Sequence, residues 1–281
     1  MNWLNEDAEE HMTNGRTVWR YISAERFLQI VENSSIFLPT ASFYEDTDLN
    51  EGRFSDTYVR VVRNWVRQFE HPDTTEDEEI AIYLSKLLAA REVSYISCWT
   101  VRDREDEQMW QTFGDQKRGV ALRTTIGKIC DEFYDYCSDN EPVDLGMGLI
   151  EYDRMNMHTR VSVETIHDYH LPLFFLDGGA RSFRHEQEYR FIIYNPEDVG
   201  ELSSDLLTQG DIQIGGAIRL TDQYRNRITG SLGTGLSVPV DLENFLLEVR
   251  LGSAMAPDVK ESIRNKLMER QLAITCRDST V

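Results

Sequence analysis

The segment at residues 183–194, FRHEQEYRFIIY, constrains the fold more than any other stretch of the chain. It ends in an apolar run at 191–193, which predicts a core strand. Glu186 and Glu188 precede that run two positions apart, and side chains at i and i+2 of a strand point to the same face of a sheet. An extended segment rarely buries two carboxylates without a partner or a purpose. We therefore expect two carboxylates aimed together from the end of a core strand.

The length and composition are those of a folded protein with a sizeable core. The chain has 281 residues, of which 41% are hydrophobic. We expect a single domain over residues 16–281, after a solvated lead-in at residues 1–15. The sequence has no apolar run of the roughly 18 residues needed for a transmembrane helix, and its acidic N-terminus does not look like a signal peptide. These features predict a cytoplasmic protein that does not act at a membrane.

The charge of the chain is strongly negative. At a formal net charge of −20 the protein repels phosphate backbones, so broad nucleic-acid affinity is not expected. Only five of its 29 basic residues are lysines, which fits either a salt-adapted surface or an ordinary acidic protein. The four cysteines include no Cys-x-x-Cys pair, and this favours reduced, mostly buried thiols over a zinc or redox site.

The order of predicted elements favours a mixed fold. Apolar runs bounded by turn residues predict short strands at 17–22, 93–99, 119–123, 149–152 and 246–251. Helical spacing of apolar residues predicts helices after Ser23, from about Thr125, and at 162–175 and 257–270. Helices and strands do not alternate strictly as in βαβ units, so we expect an α+β fold with a largely antiparallel sheet and flanking helices.

Four blocks of sequence stand out along the chain: VWRYISAERFLQIVENSSIFLPTASFYEDTDLNEGRF, SYISCWTVRDREDEQMWQTFGDQKRGVALR, FRHEQEYRFIIY and LLEVRLGSAM. Each is degenerate alone, but together they span nearly the whole chain. Their order and spacing resemble the bacterial, archaeal and phage family catalogued as domain of unknown function 2971. That family usually has an Asn-Asp-Pro element where this chain has Asp48-Leu49-Asn50-Glu51, so the role of that loop stays open.

The same family resembles the ADP-ribosyltransferases, enzymes that cleave NAD at the nicotinamide–ribose bond. One branch of these enzymes carries Arg, then Ser on a later strand, then Glu-x-Glu, and the matching positions here are Arg20, Ser97, Glu186 and Glu188. The resemblance implies a single domain with an ADP-ribosyltransferase-like split, mostly antiparallel sheet. It also implies NAD as the substrate, a macromolecular acceptor of unknown identity, and a role as a toxin or defence effector.

The resemblance gives each matched residue a role in that chemistry. Glu188 would hold the ribose 2′-hydroxyl and stabilise an oxocarbenium-like charge, while Glu186 would act on the acceptor as a base or docking group. Arg20 would donate to the pyrophosphate. Ser97 would orient the catalytic glutamate or the ribose by hydrogen bonding.

The predicted site includes two aromatic side chains. Tyr21 and Trp99 stand beside the matched residues and would pack on nicotinamide or adenine. We therefore expect Arg20, Ser97 and Glu188 to line one cleft, within about 10 Å of one another. We also expect Glu188→Gln to leave folding intact, because a glutamate at the edge of a strand is not part of the core.

Other interpretations of these residues stay open. Glu186 and Glu188 could form a solvated charge ladder with Arg184 and Arg190. The matched arginine could make an ordinary strand-end ion pair, and the matched serine could simply be tolerated on an apolar strand.

Two other classes of function also stay open. A non-catalytic nucleotide- or protein-binding module of the same fold would bind without turnover. A metal-dependent hydrolase using the paired carboxylates would turn over only with Mg²⁺. His167 and His170 have no third ligand at a diagnostic spacing, so no metal site is predicted.

Overall fold

The computed structural model describes residues 2–3, 15–44, 60, 62–64, 66–67, 75–150, 185–208 and 235–281. Within them the chain forms an α+β fold with a mostly antiparallel sheet and flanking helices. The predicted fold class is confirmed at that level.

The described part of the chain contains ten strands. They are β1 (Asn2–Trp3), β2 (Thr17–Ile22), β3 (Ser35–Pro39), β4 (Ser94–Val101), β5 (Val120–Thr125), β6 (Asp144–Leu149), β7 (Glu188–Tyr194), β8 (Gly235–Pro239), β9 (Glu248–Leu251) and β10 (Thr275–Asp278).

Seven helices have complete bounds. They are α1 (Ala24–Asn33), α2 (Glu76–Val93), α3 (Glu107–Thr112), α4 (Ile126–Asp139), α5 (Pro196–Thr208), α6 (Leu242–Phe245) and α7 (Pro257–Glu269). In addition, residues 60–67 are largely helical where they are described.

Eight strands form the main sheet, in the order β1-β6-β7-β4-β2-β5-β9-β10. The inner pairs are antiparallel, whereas β1 pairs with β6 and β10 with β9 in parallel. β3 and β8 form a separate antiparallel pair. The central strands β7, β4, β2 and β5 therefore have neighbours on both sides, and this fixes which side chains share a face.

Alternation along these strands gives the sheet two chemically different faces. One face, called the core face, carries the apolar side chains of Val18, Ile22, Trp99, Tyr189 and Phe191. The opposite face, called the charged face, carries Trp19, Tyr21, Thr100, Glu188 and Arg190. The core face is covered by helices α1, α4 and α7, whose buried residues join its hydrophobic cluster.

Local sequence explains how α1 reaches the core face. Ser23 caps the helix, because its hydroxyl oxygen accepts a hydrogen bond from the backbone N–H of Arg26. The helix then buries Phe27, Ile30 and Val31, which the sequence placed at helical spacing. The prediction of a capped helix directly after strand 17–22 is confirmed.

Some predicted boundaries are wrong. The strand expected to begin at 149 is β6, which begins at Asp144 and ends at Leu149, while residues 151–152 lie outside the described residues. Helix α5 was not predicted, although Pro196 at its first position and Glu197 and Asp198 in its first turn are typical of a helix start. The helix predicted at 162–175 lies outside the described residues.

The N-terminal lead-in contributes at least one short strand to the sheet. Asn2–Trp3 form β1, which pairs in parallel with Gly146 and Met147 of β6. The assignment of residues 16–281 to a single domain stays a prediction. Across the described residues, every helix is too short or too polar to cross a membrane.

Candidate functional site

Arg20, Ser97 and Trp99 form one cluster on the core face. The Arg20 guanidinium donates a hydrogen bond to Ser97 Oγ over 3.3 Å and lies 5.8 Å from the centroid of the Trp99 ring. The indole N–H of Trp99 donates to the same Ser97 oxygen over 2.9 Å. A second Arg20 nitrogen donates to the carbonyl of Phe37 in β3. The structure thus brings together three of the predicted site residues.

Burial limits what this cluster can do. Ser97 is 0% exposed and Trp99 is 1% exposed, so neither presents a surface to a ligand from solvent. Their contacts join β2, β3 and β4 inside the protein. The geometry therefore supports a structural role for Ser97 and Trp99 and leaves Arg20 as the only half-buried member of the cluster.

Glu188 lies on the other face of the sheet. Thr100 is its direct cross-strand partner, and Trp19 is the partner of Thr100 on the next strand. Because successive residues of a strand alternate between faces, Thr100 and Glu188 point away from the face that holds Ser97 and Trp99. The prediction that Arg20, Ser97 and Glu188 line one cleft is wrong.

The two glutamates also do not share a strand. β7 begins at Glu188, and Glu186 precedes it in a short 3₁₀ turn. Gln187, between them, has a φ of 46°, a left-handed conformation that breaks the strand alternation. The expectation that Glu186 and Glu188 point to one face by their i, i+2 spacing therefore does not apply.

Glu188 forms a buried ion pair with Arg190, two positions along the same strand. The guanidinium donates to both carboxylate oxygens, over 2.6 and 3.2 Å. Glu188 is 7% exposed and Arg190 is 2% exposed. The open interpretation of a charge ladder is right about the Glu188–Arg190 contact, but this pair is buried and not solvated. Arg184 lies outside the described residues.

Tyr21 belongs to the charged face and packs against α3. Its ring meets Trp110 edge to face at a centroid distance of 5.2 Å. Its hydroxyl oxygen accepts a hydrogen bond from the backbone N–H of Asp106 over 2.9 Å, and burial raises the pKa of Tyr21 well above its ordinary value. Tyr21 and Trp99 lie on opposite faces, so they cannot pack on the same ring of a ligand.

Four chemically distinct side chains stand side by side across the charged face. Glu188 of β7, Thr100 of β4, Trp19 of β2 and Arg123 of β5 are successive cross-strand partners. We call them the cross-strand row. Neighbouring strands lie about 4.8 Å apart, so the backbone positions of this row extend over roughly 14 Å. Glu248 continues the same register on β9.

The tryptophan of this row contacts the guanidinium of one arginine and the backbone carbonyl of another, whose own guanidinium is held by Asp106 and the His185 carbonyl. The Arg123 guanidinium lies 5.8 Å from the centroid of the Trp19 ring, and the Trp19 indole N–H donates to the carbonyl of Arg102 over 3.1 Å. The side chains of Arg123 and Arg102 are 34% and 27% exposed. Among the described residues, neither Nε–H group of these two arginines has a hydrogen-bond partner, although both are buried. Buried N–H donors in proteins are normally hydrogen-bonded to an acceptor.

Beyond the row, charged side chains continue to the sheet edge. Glu248 pairs with Arg250 over 2.8 Å and approaches Arg123 at 3.4 Å. Arg250 also lies 3.6 Å from Glu105. This chain of alternating charge fixes the position of Arg123 from one side and leaves its other side next to Trp19.

Glu105 anchors the C-terminal residues of the described chain. Its carboxylate accepts hydrogen bonds from Ser279 Oγ, Thr280 N, Thr280 Oγ1 and Trp110 Nε1, at 2.7 to 3.0 Å. Burial would raise the pKa of Glu105, but these hydrogen bonds together outweigh it and hold the pKa below its ordinary value.

Sequence reasoning missed Thr100, Trp19 and Arg123. The missing information was the register between strands, because a shift of one residue exchanges the two faces. The one usable indication was the alternation that continues from the predicted strand at 93–99 into the next residue: Ser97 and Trp99 occupy one parity and Thr100 the other. Without the pairing to β7, that parity could not be matched to Glu188.

No group of three or more histidine, cysteine or carboxylate side chains within the described ranges is arranged to hold a metal ion. The resemblance to the domain of unknown function 2971 and to ADP-ribosyltransferases stays a prediction. Comparison with protein-family models, with curated proteins and with solved structures finds no match for this chain.

Proposed function

We propose that the protein cleaves NAD at the nicotinamide–ribose bond, with the cross-strand row as its site. The observation that carries this proposal is the register that sets a carboxylate, a hydroxyl, an indole and a guanidinium on four neighbouring strands of one face. These are the side-chain types that the predicted chemistry requires. The proposal keeps Glu188 and replaces Arg20, Ser97 and Trp99 by Arg123, Thr100 and Trp19.

Glu188 and Thr100, which are 7% and 4% exposed, would act at the ribose of a ligand that enters from the more open Arg123 end of the row. Cleavage builds positive charge on the ribose ring, and a fixed carboxylate stabilises that charge. The Cβ atoms of directly paired residues lie about 5 Å apart, so the Thr100 hydroxyl is within reach of a group bound at Glu188. Arg190 holds the carboxylate through two hydrogen bonds and so restricts its orientation.

Trp19, Arg123 and Arg102 would hold the rest of the dinucleotide. The buried Nε–H donors of the two arginines have no protein acceptor within the described residues, and a guanidinium suits the pyrophosphate. Arg123, a third exposed, is the member of the row most open to solvent. Trp19 is 2% exposed, so it would serve as a support for Arg123 more than as an open stacking surface.

The remaining parts of the proposal come from the resemblance. The sheet would be the split sheet of an ADP-ribosyltransferase, and the protein would act in the cytoplasm as a toxin or defence effector. ADP-ribose would pass to a macromolecule or to water. Glu186, half-buried in the turn before β7, would face the acceptor.

A second candidate function is binding of NAD or a related nucleotide without turnover. The observation that favours it is the Glu188–Arg190 ion pair, in which a guanidinium already neutralises the carboxylate inside the protein. A carboxylate in that state stabilises a cationic ribose less than a free one does. The two candidates share the binding row and differ only in whether nicotinamide is released.

One assay separates these candidates. Purified protein is incubated with NAD, once without added metal and once with Mg²⁺, and nicotinamide release is measured beside NAD binding by calorimetry. We expect release, and we expect Arg123→Gln to weaken binding about tenfold or more, the loss typical of a charge-assisted hydrogen bond. Binding without release would establish the second candidate. Release only with Mg²⁺ would point to a metal-dependent hydrolase, and neither binding nor release would overturn both NAD proposals.

A further inference from the structure

A groove between α1 and α7 is lined entirely by described residues, on helices that cover the core face. It has a volume of about 900 Å³. Its floor is apolar, because Leu28 of α1 and Val259 of α7 are partly buried against the core. The two helices are joined at their C-terminal ends, where Lys266 pairs with Glu32 and Arg270 donates to the Glu32 carbonyl.

The walls of this groove carry a strong negative charge. Glu25 lies on the α1 wall, and Asp258, Glu261 and Glu269 lie on the α7 wall. All four are exposed, and none of them has an ion-pair partner in the described part of the chain. Lys266, the one cation of the lining, is held by Glu32, which lowers the pKa of that carboxyl. The groove therefore offers uncompensated carboxylates above an apolar strip.

The dimensions of the groove suit a helix. At 1.5 Å per residue, α1 and α7 are roughly 15 and 20 Å long. A partner helix of about three to four turns would run along that length with its apolar side on Leu28 and Val259. Lysine or arginine side chains on its two flanks would meet the carboxylates of both walls. Charge complementarity thus selects a basic helix over an acidic or neutral one.

We propose that the α1–α7 groove docks a basic amphipathic helix of a partner protein. This is independent of the proposed NAD chemistry, because the groove lies on the helices that cover the core face while the cross-strand row is on the opposite face. Binding at the groove needs neither NAD nor Glu188.

The experiment uses a fluorescent synthetic peptide of leucine and lysine, about four turns long, patterned to form an amphipathic helix. Fluorescence anisotropy measures its binding to the whole protein without NAD. A peptide of the same composition, scrambled so that leucines and lysines do not separate onto two sides, is the peptide control. The expected result is saturable binding of the amphipathic peptide, about tenfold tighter than the scrambled one and weakened by salt.

Two triple variants separate the groove from the general acidity of the protein. Glu25→Gln/Asp258→Asn/Glu261→Gln removes three carboxylates from the walls. Asp131→Asn/Asp135→Asn/Asp205→Asn removes three exposed carboxylates elsewhere. We expect the groove variant to weaken binding about tenfold and the control variant to leave it within twofold, with both folded by circular dichroism. Equal effects of the two variants, equal binding of the two peptides, or no binding would overturn the proposal.

Discussion

At the scale of single residues, two hydroxyls on β4 distinguish the two candidate sites: Ser97 belongs to the site predicted from the motif, and Thr100 belongs to the cross-strand row. We expect Thr100→Val to lower NAD cleavage by about 10²-fold, the loss typical of a positioned polar group in an active site. Ser97→Ala should leave the rate of the folded protein unchanged, because its contacts within the described residues are with Arg20 and Trp99 inside the core face. Nicotinamide release at saturating NAD measures both. The reverse order of effects would return the site to the core face.

The Glu188–Arg190 pair gives a second residue-scale prediction, about stability. Removing one member of a buried ion pair costs about 3–5 kcal/mol, whereas replacing both by apolar residues is often neutral or better. We expect Glu188→Leu and Arg190→Met each to lower the free energy of unfolding by that amount. The double variant should recover most of the loss.

Urea denaturation of the four proteins in this cycle measures the coupling. Additive losses in the double variant would show that the pair is not coupled. The outcome also corrects the sequence-based expectation that Glu188→Gln leaves folding intact, since that expectation assumed an exposed strand edge. Glu188 is instead 7% exposed beside a guanidinium that is 2% exposed.

At the scale of elements, the turn between α3 and β5 has an unusual backbone. Asp115, Gln116 and Lys117 have φ values of 50°, 52° and 67°, three successive left-handed residues that each cost roughly 1–2 kcal/mol when not glycine. Gln116→Gly should therefore raise the free energy of unfolding by about 0.5 kcal/mol, after the larger chain entropy of glycine is subtracted.

A second glutamine provides the matched control for this turn. Gln29 is exposed in the middle of α1, where glycine costs about 1 kcal/mol relative to a good helix former. We expect Gln29→Gly to lower the midpoint of thermal unfolding and Gln116→Gly to raise it. A lower midpoint in both variants would show that the turn is not strained at Gln116.

Elements with strong local patterns could be predicted from the sequence, and pairing could not. The helix after Ser23 follows from spacing and a side-chain cap, and the helix at 257–270 from a proline at its first position. Both are present, as α1 and α7. Glu188 was singled out because two charges before an apolar run are unusual. Its neighbours on the charged face could not be predicted, because they depend on the pairing between strands. Thr100 and Trp19 lie 88 and 169 positions before Glu188 in the sequence.

At the scale of the whole molecule, the free energy of unfolding should depend on pH through the carboxyl group of Glu105. Its folded pKa lies below its ordinary value of 4.5. A depressed carboxyl pKa contributes stability that is present above the unfolded pKa and is lost as pH falls through the folded pKa. Stability should thus decline from about pH 5 downward, and Glu105→Gln should make that decline shallower. Denaturation at pH 7 and between pH 5 and 3 measures the slopes, and an unchanged slope in the variant would contradict this role.

The arrangement of the central strands has a genetic consequence. Alternate residues of β4 face the core and the charged face. A one-codon insertion near the middle of the strand would therefore move every later residue of β4 to the opposite face. Thr100 would then enter the apolar core, and Trp99 would move beside Glu188. A two-codon insertion returns each later residue to its original face and only shifts its position along the strand. Insertions in this strand should therefore be tolerated, if at all, in pairs, and natural drift in the spacing of its motif should follow the same even steps.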